Sequence, residues 1–290
     1  KSMNIQLGSI INELDSCIKL NNTKNLFVFG DVTSTLSGAI VAKNNSVDCF
    51  HVEAGLRSNN LNMPEERNRI MVDSICDKLF TPSNDAVENL LKENISKEKI
   101  FNVGNIMIDT LIDNLDKITS NQNTISSEFS INREYFVLTL HRPTNLHDEK
   151  LTLIFDALSE FTDKHDIIIP AHPRLKAFIQ ENNFDTSRFK VIDPQPYIKF
   201  LTLVNNSTLC LTDSGGLQEE TTYLNKKCLT LRDETERPIT VEMGTNKVIG
   251  VSKNIINEIN SSLNTKISER KKIDLWDGNA SQRIYEEIYD

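Results

Sequence analysis

Nowhere in the 290 residues does an apolar run approach the ~20 residues of a membrane-spanning helix, and no signal peptide is visible. A soluble globular protein with no membrane partner is therefore expected. Paired cysteines are lacking too. Cys17, Cys49, Cys76, Cys210 and Cys228 stand singly in or beside apolar runs, without C-x-x-C spacing. Such cysteines read as buried thiols of a reducing compartment, with neither disulfide nor zinc expected. No cluster of metal-ligand spacing is present, so no metal is expected. Basic residues are in deficit: 32 Lys and Arg against 41 Asp and Glu leave a net charge of -9. This argues against a nucleic-acid partner, which a basic face would have to meet. It does not exclude a nucleotide substrate, because a helix N-terminus and a few arginines suffice for a small phosphorylated ligand. Finally, no Gly-rich phosphate turn precedes the first helix, Met3 to Leu20, although doubly wound folds usually open on a strand that carries one.

What is present is an alternation of amphipathic helices with short apolar strands, the pattern of parallel sheets wrapped by helices. The length, about twice that of a common domain, predicts two of them. Strands are expected at Leu26-Phe29, Val47-Phe50, Lys78-Phe80 and Ile100-Val103, followed by a helix around Met107 to Ile118. The polar stretch 119–134 is the expected linker. A second series follows, with strands at Tyr135-Leu140, Ile167-Pro170, Phe189-Ile192, Thr208-Leu211 and Cys228-Leu231.

In open parallel sheets ligands bind beyond the C-terminal ends of the strands, so polar residues that directly follow apolar runs are the functional candidates. They are Asp31, the segment His51 to Arg57, His141 and Arg142, His172, and Asp213 with Ser214. Each taken alone reads as a cap or a satisfied turn residue. Glu65 and Glu66, after Pro64, read alone as favourable charge in a first helical turn. It is their convergence that points to a site. His147 and His165, in polar stretches, are assigned to solvent. Ser214, Gly215 and Gly216 stand between a strand and a helix, where free N–H groups can cradle phosphate oxygens. Arg237, after the next strand, would supply a fixed cation, or else pair with a neighbouring acid on the surface.

With these residues in place the chain resembles the non-hydrolysing UDP-N-acetylglucosamine 2-epimerases. The ordered motifs are GDVTSTLSGA (30 to 39), HVEAGLRS (51 to 58), PEERNR (64 to 69), GNIMIDTL (104 to 111), HRPTN (141 to 145), PAHPR (170 to 174), DSGGLQEE (213 to 220) and LRDETERP (231 to 238), and the similarity runs from Phe29 to the final helix. The resemblance implies an α/β fold of glycosyltransferase type B, two Rossmann-like domains facing a deep cleft. The first would be residues 1–115 completed by a returning helix, 277–290; the second, 116–276, would bind UDP. Asp31, Glu53, Glu65 and His141 fall on positions the family uses in catalysis. His172, Phe200, Ser214, Gly215, Gly216, Glu220 and Arg237 match positions associated with the nucleotide or its diphosphate. The implied reaction inverts C2 by eliminating UDP, through 2-acetamidoglucal, and adding it back. It needs no redox cofactor, and a cytoplasmic homodimer is implied.

Two departures stand out. Pro143 occupies a place where many bacterial members carry a second polar or charged residue, so the regulatory second UDP-sugar site of part of the family is not implied. The family's first β-α units, with a basic turn and a Gln-bearing loop, have no counterpart, so the first domain is expected to be incomplete. The competing readings are a hydrolysing 2-epimerase that releases UDP and N-acetylmannosamine, a type B glycosyltransferase, and an inactive truncated remnant. The carboxylate set argues against the glycosyltransferase.

Overall fold

The structure, a computed structural model, describes residues 2–267, 269 and 271–289. Lys1 and Asp290, the outermost residues of the first expected domain, lie outside the described residues. The chain divides into two compact units, Lys1–Asp109 with Ile273–Asp290, and Thr110–Lys272. The first crossing between them falls inside a helix, a few residues before the expected boundary.

The first unit runs α1 (Met3–Asn21), β1 (Asn25–Phe29), α2 (Thr33–Asn44), β2 (Asp48–Val52), α3 (Pro64–Ile75), β3 (Lys78–Thr81), α4 (Asn84–Lys92), β4 (Ile100–Asn102) and the start of α5 (Ile106–Asp113). Its strands form a parallel sheet in the order β1-β2-β3-β4. On one face Val28, Cys49 and Leu79 pack with residues of α1, α2 and α3. On the other, Phe27, Phe50, Phe80 and Phe101 form a row of ring contacts across the four strands, with centroids 5.3, 6.4 and 5.8 Å apart. Edge-on and tilted pairs of this kind add to area burial. Ile284 and Ile288 of the last helix, α14 (Ala280–Tyr289), pack against this face. Asp109 caps that helix by accepting the N–H groups of Ala280 (3.1 Å) and Ser281 (2.7 Å), a favourable charge at an N-terminus. Trp276 is buried, its Nε1 donating to Pro82 O at 3.0 Å.

The second unit continues with α6 (Leu115–Ser120), α7 (Gln122–Glu128), β5 (Tyr135–Thr139), α8 (Asp148–Ser159), β6 (Asp166–Pro170), α9 (Pro173–Glu181), β7 (Lys190–Ile192), α10 (Tyr197–Asn206), β8 (Leu209–Thr212), α11 (Gly215–Tyr223), β9 (Cys228–Thr230), α12 (Ile239–Glu242), β10 (Asn246–Val248) and α13 (Ile255–Asn264). Its parallel sheet has the order β10-β9-β8-β5-β6-β7. Counted from β5, that is 6-5-4-1-2-3, the dinucleotide-fold order, which reverses direction between β5 and β8. Leu138, Leu140, Ile167, Ile169, Leu209 and Leu211 anchor its core.

Several expectations are corrected. The polar stretch 119–134 is not a linker. It forms the end of α6 and the whole of α7, and both helices pack on α10. Ile118, Ile125 and Ile131, six to seven residues apart, supply a buried stripe that the polar composition hid. His165 is not a solvent residue: its ring stacks on Phe136 with centroids 4.5 Å apart. The imidazole has an apolar face that a core can use even inside a polar segment. Cys17 is exposed, whereas the other four cysteines are buried, and all five are free thiols. His51 lies within β2 rather than after it, and β10 was not anticipated. Among the described residues no helix is long and apolar enough to cross a membrane.

Candidate functional site

Within the first unit Asp31 and Glu53 sit at strand ends, whereas Glu65 lies in the first turn of α3. Gly30 closes β1, and its N–H donates to Val52 O at 3.1 Å, which ties the ends of β1 and β2 together. Asp31 follows. Its carbonyl accepts Asn68 Nδ2 at 2.8 Å, and its Oδ2 meets Arg69 Nη2 at 2.5 Å. Glu53 stands just past β2 with φ +72°, in the left-handed region that side chains other than glycine enter at a cost of about 1–2 kcal/mol. The N–H groups of Glu53 and Ala54 both donate to Phe80 O, at 3.1 and 3.0 Å, and hold that turn. A Cβ built on Gly30 would lie 3.6 Å from Glu53 Oε2, so the Glu53 carboxylate adjoins the Gly30-Asp31 turn. Glu65 opens α3 beside Glu66.

These neighbouring glutamates have different surroundings. Glu66 is buried, accepts the N–H groups of Ser58 (3.0 Å) and Asn59 (2.8 Å), and pairs with Arg69. Glu65 is half-buried and has no hydrogen-bond or ion-pair partner among the described residues. Arg69, itself buried, holds Glu66 with one nitrogen and Asp31 with the other.

His51 and Arg57 serve the frame. His51 Nδ1 meets Asp73 Oδ1 at 2.6 Å and its Nε2 meets Gly30 O at 2.8 Å, which fixes the turn that carries Asp31. Asp73 also takes Arg57 Nη1 at 2.7 Å and the Gly55 N–H at 3.1 Å. Burial pushes the Asp73 carboxyl up, but the His51 hydrogen bond and charge and the Arg57 contact outweigh it, and it stays below the usual carboxylate range.

In the second unit the candidates gather where the strand order reverses. Thr139 Oγ1 and Thr212 Oγ1 join β5 to β8 at 2.7 Å. His141 follows β5 and Asp213 follows β8. His141 Nδ1 lies 2.8 Å from Asp213 Oδ1, with the Asp213 side chain fully buried and that of His141 45% exposed. The Asp213 carboxylate also accepts the backbone N–H groups of His141 (3.1 Å) and Arg142 (3.0 Å) and Asn145 Nδ2 (3.2 Å). Ser214 is the N-cap of α11, its Oγ accepting from Leu217 N at 3.4 Å. The N–H groups of Gly215 and Gly216 precede that bonded position, at a helix start that favours anions.

Arg237 is no surface pair. It is buried, with Nη1 2.5 Å from Glu236 Oε1 and Nε 3.0 Å from Glu219 Oε2. Glu236 in turn holds Arg232 at 2.6 Å and faces Arg142 at 3.8 Å. A Cβ on Gly215 would overlap Arg237 Nη1 and stand 2.5 Å from Glu236 Oε1, so a larger residue would have to push these two side-chain tips away from the start of α11.

Glu220, also buried, has its carboxyl pushed up to about 7 by burial, against a hydrogen bond from Tyr197. Phe200 is half-buried on α10. His172 is exposed at the N-cap of α9, where its Nδ1 accepts Arg174 N at 3.2 Å. Among the described residues no group of three or more His, Cys, Asp or Glu could hold a metal ion.

Sequence reasoning did not single out Arg69, Glu219, Glu236 or the pairing of Asp213 with His141. Arg69 reaching Asp31, Glu219 meeting Arg237 and Asp213 meeting His141 are contacts between separate motifs, and the pairing of Glu236 with Arg232 and Arg237 inside one motif shows only once the chain is folded. The spacing of Glu66 and Arg69, three apart in a predicted helix, was the one available signal.

The family model described as UDP-N-acetylglucosamine 2-epimerase matches residues 1–289. A UDP-N-acetylglucosamine 2-epimerase of Methanocaldococcus jannaschii is 40% identical over 290 residues, 96% of this chain and 79% of that protein. A UDP-2,3-diacetamido-2,3-dideoxy-D-glucuronate 2-epimerase of Pseudomonas aeruginosa is 36% identical, covering 96% of this chain and 78% of that one. Among solved structures, the Methanocaldococcus jannaschii UDP-GlcNAc 2-epimerase in complex with UDP-GlcNAc and UDP superposes with a TM-score of 0.91 at 38% identity, over 99% of this chain and 82% of that chain. The fold class is the expected one, α/β with parallel sheets in two Rossmann-like units, of glycosyltransferase type B.

Proposed function

We propose, because the chain belongs to the UDP-N-acetylglucosamine 2-epimerase family, that it inverts C2 of UDP-N-acetylglucosamine to give UDP-N-acetylmannosamine without hydrolysis. The observation that carries this reading is the match of that family model along residues 1–289. The geometry agrees with it: a glycine-rich helix start beside His141 at the reversal point of the second sheet suits a nucleotide diphosphate.

C2–H of an acetamido sugar is weakly acidic, so its removal is coupled to departure of UDP. The C2–H and C1–O bonds break, a C1–C2 double bond forms, and 2-acetamidoglucal remains. UDP then adds back to C1 while a proton reaches C2 from the other face. No electron is gained or lost overall. Asp31, Glu53, Glu65 and His141 would share the proton transfers. Arg69 would hold the Asp31 carboxyl in place, while Glu65, with no partner among the described residues, is free to meet the substrate. Ser214, Gly215, Gly216 and Arg237 would hold the diphosphate, and His172, Phe200 and Glu220 the nucleoside. The active form would be a cytoplasmic homodimer, which light scattering can test.

Chromatography of the products tests the reading. UDP-N-acetylmannosamine in equilibrium with its epimer is the expected result, and free N-acetylmannosamine with UDP would assign the hydrolysing reaction. A second substrate reading has one specific support, the 36% identity to the diacetamido-glucuronate enzyme. Turnover of that UDP-sugar, with none of UDP-N-acetylglucosamine, would favour it.

A further inference from the structure

We propose that Asp213 is a positioning residue that fixes the His141 ring, so that Nδ1 carries a proton and Nε2 alone is presented to substrate. The role rests on the epimerase reading above, in which His141 takes part in proton transfer.

Asp213 is fully buried, and its carboxylate is surrounded by donors. Oδ1 receives the His141 N–H at 3.1 Å and faces His141 Nδ1 at 2.8 Å. Oδ2 receives the Arg142 N–H at 3.0 Å and Asn145 Nδ2 at 3.2 Å. A carboxylate satisfied by so many N–H groups acts as acceptor only, so the proton in the bond to the ring belongs to Nδ1. This holds whether the ring is neutral or charged, since both forms can carry a proton there. Nε2 is then the nitrogen left for exchange.

The same carboxylate grips the main chain at residues 141 and 142, so backbone and ring are oriented by one group. With its side chain 45% exposed, His141 would otherwise be free to sample rotamers. Asp213 can act as a fixed reference because it directly follows a core strand and because Asn145 links it to Leu231 O at 2.9 Å.

Substitution Asp213→Asn keeps the shape and, with its oxygen at the Oδ2 place, still accepts from the N–H groups of Arg142 (3.0 Å) and His141 (3.2 Å), but it turns a donating amide toward Nδ1. It should therefore move the proton to Nε2. The ring-nitrogen signals of ¹⁵N-histidine-labelled protein read this directly in the neutral form of the ring, with His141→Gln assigning the resonance. A wild-type ring protonated at Nδ1 is expected; a wild-type ring protonated at Nε2 would overturn the proposal even if the Asp213 variant failed to fold.

In turnover, Asp213→Asn should lower kcat by about 100-fold or more, toward the ~10,000-fold fall known when a catalytic histidine loses its orienting carboxylate. UDP affinity should stay within ~3-fold, because the lost interaction acts on the reacting group rather than on uniform binding. In a His141→Ala background the same substitution should cost almost nothing further. An equal loss of kcat in both backgrounds would make Asp213 a structural residue only and overturn the proposal. A wild-type protein inactive on every UDP-sugar would sink the epimerase reading instead, and the nitrogen signals would still decide the tautomer.

Discussion

Glu65 and Glu66 are chemically identical neighbours, yet the fold gives them opposite surroundings. Glu66→Gln leaves Arg69 buried with one carboxylate fewer, and breaking such a pair costs about 3–5 kcal/mol, so a large fall in the melting temperature is expected. Glu65→Gln should leave the melting curve almost unchanged and cut turnover by about 100-fold or more, as loss of a general acid or base does. Equal melting losses for the two variants would contradict the assignment.

Glu220 makes a pH prediction. Burial holds its carboxyl at about 7, above the ordinary value of 4.5, so between these limits the native state binds more protons than the unfolded chain. Stability from this group is full below 4.5, falls as pH rises, and is lost above about 7. The shift corresponds to about 3 kcal/mol. Denaturant curves of wild type and Glu220→Gln should therefore diverge across that window, the variant losing less; parallel curves would refute it. At this scale the sequence was partly legible. Position after a strand marked Asp31, His141 and Ser214, but burial and pairing decide between Glu65 and Glu66, and they turned Arg237 from a surface cation into a buried one.

The start of α11 is the element on which the second unit's candidates depend. Gly215→Ala would drive a methyl group into Arg237 and Glu236, and a neighbour caught between two buried charges has little room to give. Calorimetry should show UDP binding weakened about tenfold or more, by the loss of roughly one well-placed charge-assisted contact. Unchanged affinity would mean that the cluster does not touch the nucleotide.

The strands were legible because buried parallel strands are short continuous apolar runs, and nine of the ten follow such runs. β10, reading Asn246-Lys247-Val248, lies at the sheet edge and lacks that signal. The pair α6 and α7 was hidden for the opposite reason: a few isoleucines bury a stripe that an otherwise polar stretch conceals.

At the scale of the molecule, two parallel sheets are built from one repeated solution, strand then helix, and each sets several of its candidates just beyond strand ends, with Glu65, Phe200 and Glu220 on helices. In the proposed reading the net charge of -9 matters little to a UDP-sugar, because the binding groups would be local: one helix start and the buried Arg237. What the sequence could not convey at this scale was pairing across long separations, such as Asp109 capping α14 or Asp213 meeting His141. Proton exchange at C2 is the step on which the proposed reaction turns, and proton NMR of UDP-N-acetylglucosamine incubated with the protein in D2O follows it directly. Loss of the C2–H signal as deuterium enters, together with new anomeric signals of UDP-N-acetylmannosamine, is the predicted result. Epimer that forms with C2–H fully retained would contradict the elimination mechanism, and with it the roles given to Asp31, Glu53, Glu65 and His141.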